Sequence, residues 1–130
     1  MKLIVILLTI SILPLSKVSS QLSCEELTEI IIDKGDHITT DYSYGDDAIN
    51  KVKFYSLEVD YEDLYFALVT FQTNIYKQYT YQITREAMND YRYTYGEDEA
   101  DKFWKYIQPY NKVLDCSPYE RKANKYQPRY

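Results

Sequence analysis

Few side chains in this sequence could carry out nucleophilic or acid–base chemistry. The chain of 130 residues contains a single histidine, His37, and two cysteines, Cys24 and Cys116. A Ser-His-Asp triad would have to use His37, and the sequence has no Gly-x-Ser-x-Gly turn to expose the serine. Zinc sites need clustered Cys and His ligands, which one histidine and two distant cysteines do not supply. The sequence therefore predicts a non-enzymatic protein without a metal site or a cofactor.

Acidic residues are the remaining candidates for cation binding or hydrolysis. None of their clusters matches the twelve-residue calcium loop with its central Gly and terminal Glu. A glycosidase needs only two carboxylates at the right separation, but a domain of this size leaves little room for a deep cleft. We interpret the clusters as solvated turns and a helix N-terminus. They are Asp36, Asp41, Asp46 and Asp47; Asp60, Glu62 and Asp63; and Glu97, Asp98, Glu99 and Asp101.

Tyrosine is the strongest compositional signal, with 16 residues in the chain. Tyr offers a large contact area, a hydroxyl group and a low entropy cost, and is therefore favoured at binding surfaces. An exposed sheet face could stack tyrosines against a glycan or a peptide. The alternative is that Tyr simply fits half-buried strand positions. The candidate binding residues are Tyr65, Tyr79, Tyr81, Tyr91 and Tyr93.

The first twenty residues have the layout of a secretory signal peptide. Lys2 supplies the positive charge, Leu3 to Leu15 form the apolar run, and Val18-Ser19-Ser20 offers a small-residue cleavage site. The apolar run is too short to span a membrane as a helix, and no other run approaches spanning length. We therefore expect cleavage after Ser20 and a secreted or periplasmic protein.

Charge is unevenly distributed along the chain. The formal net charge is −5, and removal of residues 1–20, which hold two lysines and no acid, would make it −7. Residues 117–130 are nevertheless basic, so an acidic domain over 21–116 is followed by a basic tail that we expect to be flexible. The acidic balance excludes duplex nucleic acid as a partner, because phosphates are bound by basic surfaces.

The two cysteines allow one intramolecular disulfide, which would close nearly the whole domain. Exported proteins retain disulfides, and a loop this long is worth on the order of 4–5 kcal/mol. Lipidation of Cys24 is the alternative, because Leu22-Ser23-Cys24 resembles part of a bacterial lipoprotein box, although Gln21 stands where that box has an apolar residue. The disulfide is the favoured prediction.

Hydrophobic periodicity predicts the elements that position these residues. Ser23 and Glu26 match a capping box for a helix from about 24 to 34, and polar residues 36–47 predict a loop. Apolar residues then alternate in three runs with short connections, which indicates an antiparallel meander. The runs are 48–56, 64–71 and 75–83. The second run is apolar on both faces, so we expect it to be a central strand.

The segment 84–95 is ambiguous. Thr84-Arg85-Glu86-Ala87 could open a helical turn, but Tyr91, Tyr93 and Tyr95 repeat at period two, so we favour a fourth strand over 90–95. Acidic residues at 98–101 then begin a second helix that Pro109 ends. The predicted fold is α+β, an antiparallel three- to four-stranded meander flanked by an N-terminal and a C-terminal helix.

Two segments of the chain together resemble the KTSC domain, a short bacterial module with a central Tyr-x-Tyr. Leu64-x-Phe66-x-x-Val69-x-Phe71 is followed by Tyr79-Thr80-Tyr81, and Phe103 to Tyr110 has the spacing of the module's terminal Phe-Asn-x-x-Ile-x-x-Tyr, with Trp in place of Asn. The resemblance covers about 60 residues, and the intervening segment 84–102 departs from it. The whole chain is also similar to short exported bacterial proteins of unknown function.

The sequence is compatible with two functions. The first is an exported, non-enzymatic binding domain for a glycan or peptide, built on the tyrosine-rich face. The second is an acidic periplasmic inhibitor or immunity protein that captures a basic secreted enzyme, with an association rate that falls as salt rises. The basic tail at 117–130 could add an interaction of its own, with the acidic domain or with an anionic surface.

Overall fold

A computed structural model describes residues 22–43 and 48–119, in which four antiparallel strands form one sheet between helical layers. Each strand pairs with the next in the sequence, which confirms the predicted α+β meander with a helix at each end. The elements are α1 (Cys24–Lys34), β1 (Asp36–Tyr42), β2 (Ile49–Val59), β3 (Glu62–Phe71), β4 (Asn74–Ile83), α2 (Arg85–Tyr93), α3 (Glu99–Lys102), a π-helical turn (Phe103–Ile107) and two 3₁₀ turns (Gln108–Tyr110 and Leu114–Cys116).

Helix α1 begins at the predicted capping box. The Ser23 side chain accepts a hydrogen bond from the Glu26 amide, and the Glu26 carboxylate accepts one from the Ser23 amide, both at 3.1 Å. The helix ends at Gly35, whose N–H donates to the Ile31 carbonyl at 2.8 Å. A Cβ atom at Gly35 would lie 2.5 Å from that carbonyl oxygen and 3.0 Å from the Ser56 carbonyl oxygen. Glycine therefore lets the end of α1 approach β2 this closely.

The central strands β2 and β3 bury side chains on both faces of the sheet. Successive residues of a strand point to opposite faces, so Phe54 lies in one core cluster and Tyr55 in the other. Helix α1 contributes Ile31 to the smaller cluster, whereas α2 and the C-terminal turns cover the larger one. The smaller cluster is Ile31, Tyr55, Phe66 and Leu68; the larger is Ile49, Val52, Phe54, Ala67, Val69, Phe71, Tyr81, Ile83, Ala87, Met88, Tyr91, Phe103 and Ile107.

Residues 36–42 form a strand, so the loop predicted over 36–47 is wrong for this stretch. Strand β1 pairs with β2, with Asp36 opposite Ser56 and Tyr42 opposite Lys51. An edge strand leaves most of its side chains exposed or half-exposed, and apolar alternation therefore does not mark it in the sequence. The backbone of the long strand β2 provides the partners. Residues 44–47 lie outside the described residues.

The fourth strand predicted over 90–95 is also wrong, because residues 85–93 form helix α2. Thr84 caps the helix by accepting a hydrogen bond from the Ala87 amide at 3.0 Å. Ala87, Met88 and Tyr91 are buried at helical spacing. Of the tyrosines repeating at period two, only Tyr91 is buried, since Tyr93 is 60% exposed. The fourth strand of the sheet is β1 instead.

The predicted second helix is confirmed in a shorter and more irregular form. Helix α3 continues into the π-helical turn, which buries Phe103 and Ile107 in the larger cluster, with Trp104 packed against it. The 3₁₀ turn around Pro109 follows. The apolar residues of this segment therefore face the sheet.

The disulfide between Cys24 and Cys116 is confirmed, with a Cα–Cα distance of 5.4 Å. It joins the start of α1, on one face of the sheet, to the chain that returns from the helical layer on the other face. Both cysteines of the sequence are thus bonded to each other, and neither is a free thiol. Both cysteines lie beside the outer edge of β4.

The first residues of the predicted tail, 117–119, lie against the domain. The centroids of the Tyr119 and Trp104 rings are 4.7 Å apart. The side-chain amide of Gln108 donates a hydrogen bond to the Tyr119 backbone carbonyl at 3.1 Å. Ser117 donates to the Gln108 side chain at 2.9 Å. The packed domain therefore extends to Tyr119, and the rest of the basic tail, 120–130, lies outside the described residues.

Candidate binding groove at the β4 edge

The five predicted binding tyrosines do not share an exposed face. Tyr81 and Tyr91 are both 0% exposed, because α2 and the C-terminal turns cover the sheet face that carries Tyr81. The Tyr81 hydroxyl lies 3.0 Å from the Ser117 hydroxyl. Burial raises the pKa of Tyr81 well above its usual range, since the phenolate would lack water. These two tyrosines therefore contribute to the core.

The other three candidates lie at the surface but apart from one another. Tyr65 and Tyr79 are half-buried and pack against the larger core cluster. The Lys77 ammonium lies 4.9 Å from the centre of the Tyr79 ring, and the Arg92 guanidinium lies 5.1 Å from that of Tyr93. A continuous aromatic platform is not assembled from them. Tyr79 is the candidate that lines a concave surface.

That concave surface is a groove of about 890 Å³ along the outer edge of strand β4, which we call the β4 groove. Helix α1 forms one wall, β4 forms the floor, and the chain around the disulfide forms the other wall. Its volume is within the range of small-ligand and peptide sites. It is lined by Cys24, Glu25, Thr28, Ile32, Tyr76, Lys77, Gln78, Tyr79, Thr80, Asp115, Cys116, Ser117 and Pro118.

Strand β4 is at one edge of the sheet, and only part of that edge is covered. The Gln82 amide donates to the Asn111 side chain at 3.1 Å, and the Lys112 amide donates to the Gln82 carbonyl at 2.9 Å. The backbone of Gln82 therefore points away from β3. Further toward the start of β4, residues Asn74 to Lys77 are exposed. The groove lies over this uncovered part of the strand.

Polar and charged side chains line the groove. The Gln78 side-chain oxygen is buried yet has no hydrogen-bond partner within residues 22–43 and 48–119. Glu25 and Asp115 take part in no ion pair with the rest of the described chain. Where α1 meets β4, the Thr28 and Thr80 hydroxyls contact each other. The groove thus offers a buried acceptor and two carboxylates to a ligand.

Of the residues that line the groove, the sequence singled out Tyr79 as a candidate binding residue and the two cysteines as a disulfide, and it gave no indication of the others. The groove combines three segments that lie far apart in the chain: the start of α1, strand β4 and residues 115–118. The only sequence signal for it was the Cys24–Cys116 pair, which implies that α1 and the chain near Cys116 lie close together. That pairing alone does not show that β4 passes between them.

A second cluster of polar groups lies on the other side of the sheet, between α2 and α3. The Lys102 ammonium is 2.8 Å from a Glu99 carboxylate oxygen and 4.5 Å from the centre of the Tyr91 ring. The Tyr91 hydroxyl donates to the other Glu99 oxygen at 2.8 Å. Asp41 faces this cluster from β1. Its pKa is raised because burial disfavours the charged form and Glu99 repels it, against the opposing effects of Lys102 and Arg92.

We expect Asp41→Asn to make the protein more stable at neutral pH. Because the pKa of Asp41 is raised in the folded protein, its protonated form favours folding and its ionised form disfavours it. The contribution of Asp41 to the free energy of unfolding is therefore complete below the unfolded-state pKa and is lost as pH rises through the folded-state pKa. Asparagine does not titrate and keeps the shape of the neutral acid. Urea unfolding at pH 7 and at pH 3 should show the variant's advantage at pH 7 and little of it at pH 3. An equal difference at both pH values would contradict this account.

The residues considered for catalysis are dispersed. The ring nitrogen Nε2 of His37 is 2.8 Å from the Thr40 hydroxyl, and its ring packs 5.2 Å from that of Tyr55, on the surface of β1. In the ranges 22–43 and 48–119, no three His, Cys, Asp or Glu residues are grouped so that they could hold a metal ion. Asp46 and Asp47 lie outside these ranges.

Comparison with known protein families, with curated protein sequences and with solved structures finds no match. The resemblance to the KTSC domain therefore stays a prediction. In the fold, the two segments that carry this resemblance are in contact: the Tyr81 and Phe103 rings pack edge to face with their centroids 5.3 Å apart. Across the described chain, no helix is both long enough and apolar enough to cross a bilayer.

Proposed function

We propose that this protein is an exported, non-enzymatic binding domain whose ligand site is the β4 groove. The observation that carries this proposal is the groove itself, an open concavity in which the buried side-chain oxygen of Gln78 has no hydrogen-bond partner among the described residues. A buried acceptor without a donor costs free energy, which a ligand's donor group would recover. Tyr79, one of the tyrosines predicted to bind, forms part of the lining.

Export is supported by two independent features. Residues 1–20 have the composition of a signal peptide, although they lie outside the described residues. The Cys24–Cys116 disulfide is of the kind that persists in oxidising compartments. We therefore place the binding function in the periplasm or outside the cell.

A second candidate function, an acidic inhibitor of a basic secreted enzyme, is favoured by the turn between β2 and β3. Asp60 and Tyr61 both have positive φ angles, 52° and 65°, and Tyr61 is 99% exposed. Both φ values are those that a two-residue hairpin turn between paired Val59 and Glu62 requires, so this turn places Tyr61 at the tip of the hairpin. Glu62 follows this tyrosine directly, and Glu58 and Asp63 are paired across the strand ends next to the turn, which makes the tip acidic. A basic partner would be attracted to such a protruding tip.

Alanine variants of two exposed tyrosines, one at each candidate site, distinguish the two functions by their effect on ligand capture. Tyr76, which is 93% exposed in the groove, and Tyr61 at the hairpin tip are both changed to alanine, and Tyr95, 84% exposed elsewhere, is the control. Substitutions at such exposed positions usually change stability by less than about 0.5 kcal/mol. Each variant of residues 21–130 is used as bait for exported-protein and cell-wall fractions, followed by elution with rising salt.

The groove proposal predicts that Tyr76→Ala lowers ligand capture at least tenfold, whereas Tyr61→Ala and Tyr95→Ala capture as wild type does. Loss of capture in Tyr61→Ala alone, with release of a basic protein at moderate salt, would instead establish the inhibitor function. Equal capture by all three variants would refute both sites.

A further inference from the structure

We propose that the Tyr61 hydroxyl, at the tip of the hairpin formed by β2 and β3, is a sulfation site, where a transferase on the export route forms an aryl sulfate ester. This inference goes beyond the proposed function, because Tyr61 is not part of the β4 groove lining. It depends on three observations: the exposure of the phenol, the free carboxylates around it, and the paired carboxylates beside another exposed tyrosine.

The Tyr61 side chain is fully accessible to an enzyme. It is 99% exposed, and the two-residue turn between the paired residues Val59 and Glu62 places it at the end of the hairpin. A transferase must enclose the whole phenol to bring its oxygen to the group being transferred. At this position it can do so without unfolding any part of the domain.

Four carboxylates lie around this phenol, and none of them is neutralised. Two flank Tyr61 in the chain, and the other two are paired with each other across the adjacent strand ends. Residues 54–76 include no Lys or Arg, and none of the four carboxylates forms an ion pair within residues 22–43 and 48–119. The four residues are Glu58, Asp60, Glu62 and Asp63.

This charge matches the active site of a sulfotransferase. The sulfate donor, phosphoadenosine phosphosulfate, is a polyanion and is bound by basic groups, which also attract an acceptor surrounded by carboxylates. The phenol oxygen bonds to sulfur, the bond from sulfur to the donor's phosphate oxygen breaks, and adenosine bisphosphate leaves. The phenolic proton passes to a base of the transferase. Predicted export of the chain favours this reaction over phosphoryl transfer from ATP, which is an intracellular donor.

Tyr95 shows why the tertiary structure matters for this choice. It is 84% exposed and precedes an acidic run, so the sequence pattern alone would select it as well. In the fold, however, Glu97 is paired with Lys105 and Glu99 is paired with Lys102. These two lysines offset the negative charge that would attract a basic active site. The hairpin tip keeps its full charge and is therefore the preferred acceptor.

Tyr76 provides an internal control for exposure. It is 93% exposed, but Lys77 follows it and residues 64–85 include no Asp or Glu. If accessibility alone decided the reaction, Tyr76 and Tyr61 would be modified equally. If the local charge decides it, only Tyr61 is modified efficiently.

The first experiment incubates residues 21–130, with the disulfide formed, with purified tyrosylprotein sulfotransferase and phosphoadenosine phosphosulfate. Peptide mass spectrometry locates the added group. We expect sulfate transfer to Tyr61 to be at least about tenfold faster than transfer to Tyr76, the factor that several exposed charge pairs supply together. Tyr61→Phe should remove this product. No transfer to Tyr61, or equal transfer to Tyr76, would overturn the proposal.

Charge variants test the role of the carboxylates. The triple variant Asp60→Asn/Glu62→Gln/Asp63→Asn should slow transfer to Tyr61 about tenfold. A control variant, Glu25→Gln/Glu29→Gln/Asp33→Asn, removes the same charge from α1 and should stay within about twofold of wild type. Equal slowing by both variants would show that only the net charge of the protein matters, which contradicts a site defined by the hairpin tip.

Release of a paired carboxylate tests the comparison with Tyr95. Lys105→Met removes the partner of Glu97, so transfer to Tyr95 should rise about threefold while transfer to Tyr61 stays the same. An unchanged rate at Tyr95 would show that ion pairing does not govern acceptor choice, and the argument for Tyr61 over Tyr95 would fail.

The protein released by its own cells shows whether the site is used. Its peptide containing Tyr61 should carry one sulfate, identified by exact mass, by loss in acid and by resistance to phosphatase. An unmodified Tyr61 in that protein, or a phosphate at this position, would overturn the proposal. The result is independent of the β4 groove, because ligand capture there is tested by Tyr76→Ala.

Discussion

Replacing Cys24 and Cys116 with serine in the same protein is expected to lower the free energy of unfolding by about 4–5 kcal/mol. The disulfide joins residues separated by 92 positions, so it restricts nearly the whole described domain in the unfolded state. Domains of this size have a total stability of only about 5–15 kcal/mol. The variant should therefore lie close to the threshold of folding at 37 °C.

Chemical denaturation of the double variant measures this effect, and wild-type protein in reducing agent provides the control. Both should unfold at a similarly reduced midpoint, because both lack the same covalent link. The denaturant dependence of the unfolding free energy should also increase, since a chain without the link exposes more surface when unfolded. A loss below about 1 kcal/mol would show that the linkage does not constrain the unfolded chain in this way.

The same variant has a consequence for function. Cys24 and Cys116 both line the β4 groove, and the disulfide holds the start of α1 beside the 115–118 segment. Without it, the two walls of the groove are no longer fixed with respect to each other. Ligand capture should therefore fall even at temperatures where the variant remains folded, which circular dichroism on the same sample establishes.

The second large effect is expected at Lys102. Its side chain is 8% exposed and pairs with Glu99, whose side chain is 14% exposed. Removing one partner of a buried ion pair leaves the other charge buried and uncompensated, which typically costs about 3–5 kcal/mol. Lys102→Met should cost that much, because the Glu99 carboxylate would then face Asp41 without the ammonium that offsets their repulsion.

A double-mutant cycle tests the origin of this loss. Glu99→Gln in the Lys102→Met background removes the orphaned charge and keeps an acceptor for the Tyr91 hydroxyl, so it should restore about half of the stability. The matched control is Lys105→Met, whose partner is Glu97 and whose side chain is 37% exposed; it should cost less than about 1 kcal/mol. Additive losses in the cycle would show that the ion pair is not the source of the effect.

The elements with strong local signals were predictable from the sequence. The capping box and helical spacing placed α1 between its observed ends, and alternation of apolar residues placed β2, β3 and β4. Continuous apolar character identified β3 as central. These signals are reliable because each reflects an interaction within a few residues or a burial pattern repeated along the element.

The two errors have a shared physical cause. Strand β1 exists because the backbone of β2 offers it partners, and an edge strand needs no apolar alternation of its own. Helix α2 begins at the Thr84 cap, although its tyrosines repeat at period two. Of these tyrosines, only Tyr91 is buried in the larger core cluster. In both segments, contacts with distant residues outweigh a weak or contrary local pattern.

The sequence by itself determined the fold class, the ends of the first helix and the pairing of the two cysteines. Tertiary structure decided which tyrosines are available to a ligand: Tyr81 and Tyr91 are enclosed by helices that are remote in the chain, whereas Tyr79 lines the groove. It also created the groove, whose walls come from the two ends of the domain. Burial depends on which segments pack together, and local sequence does not contain that information.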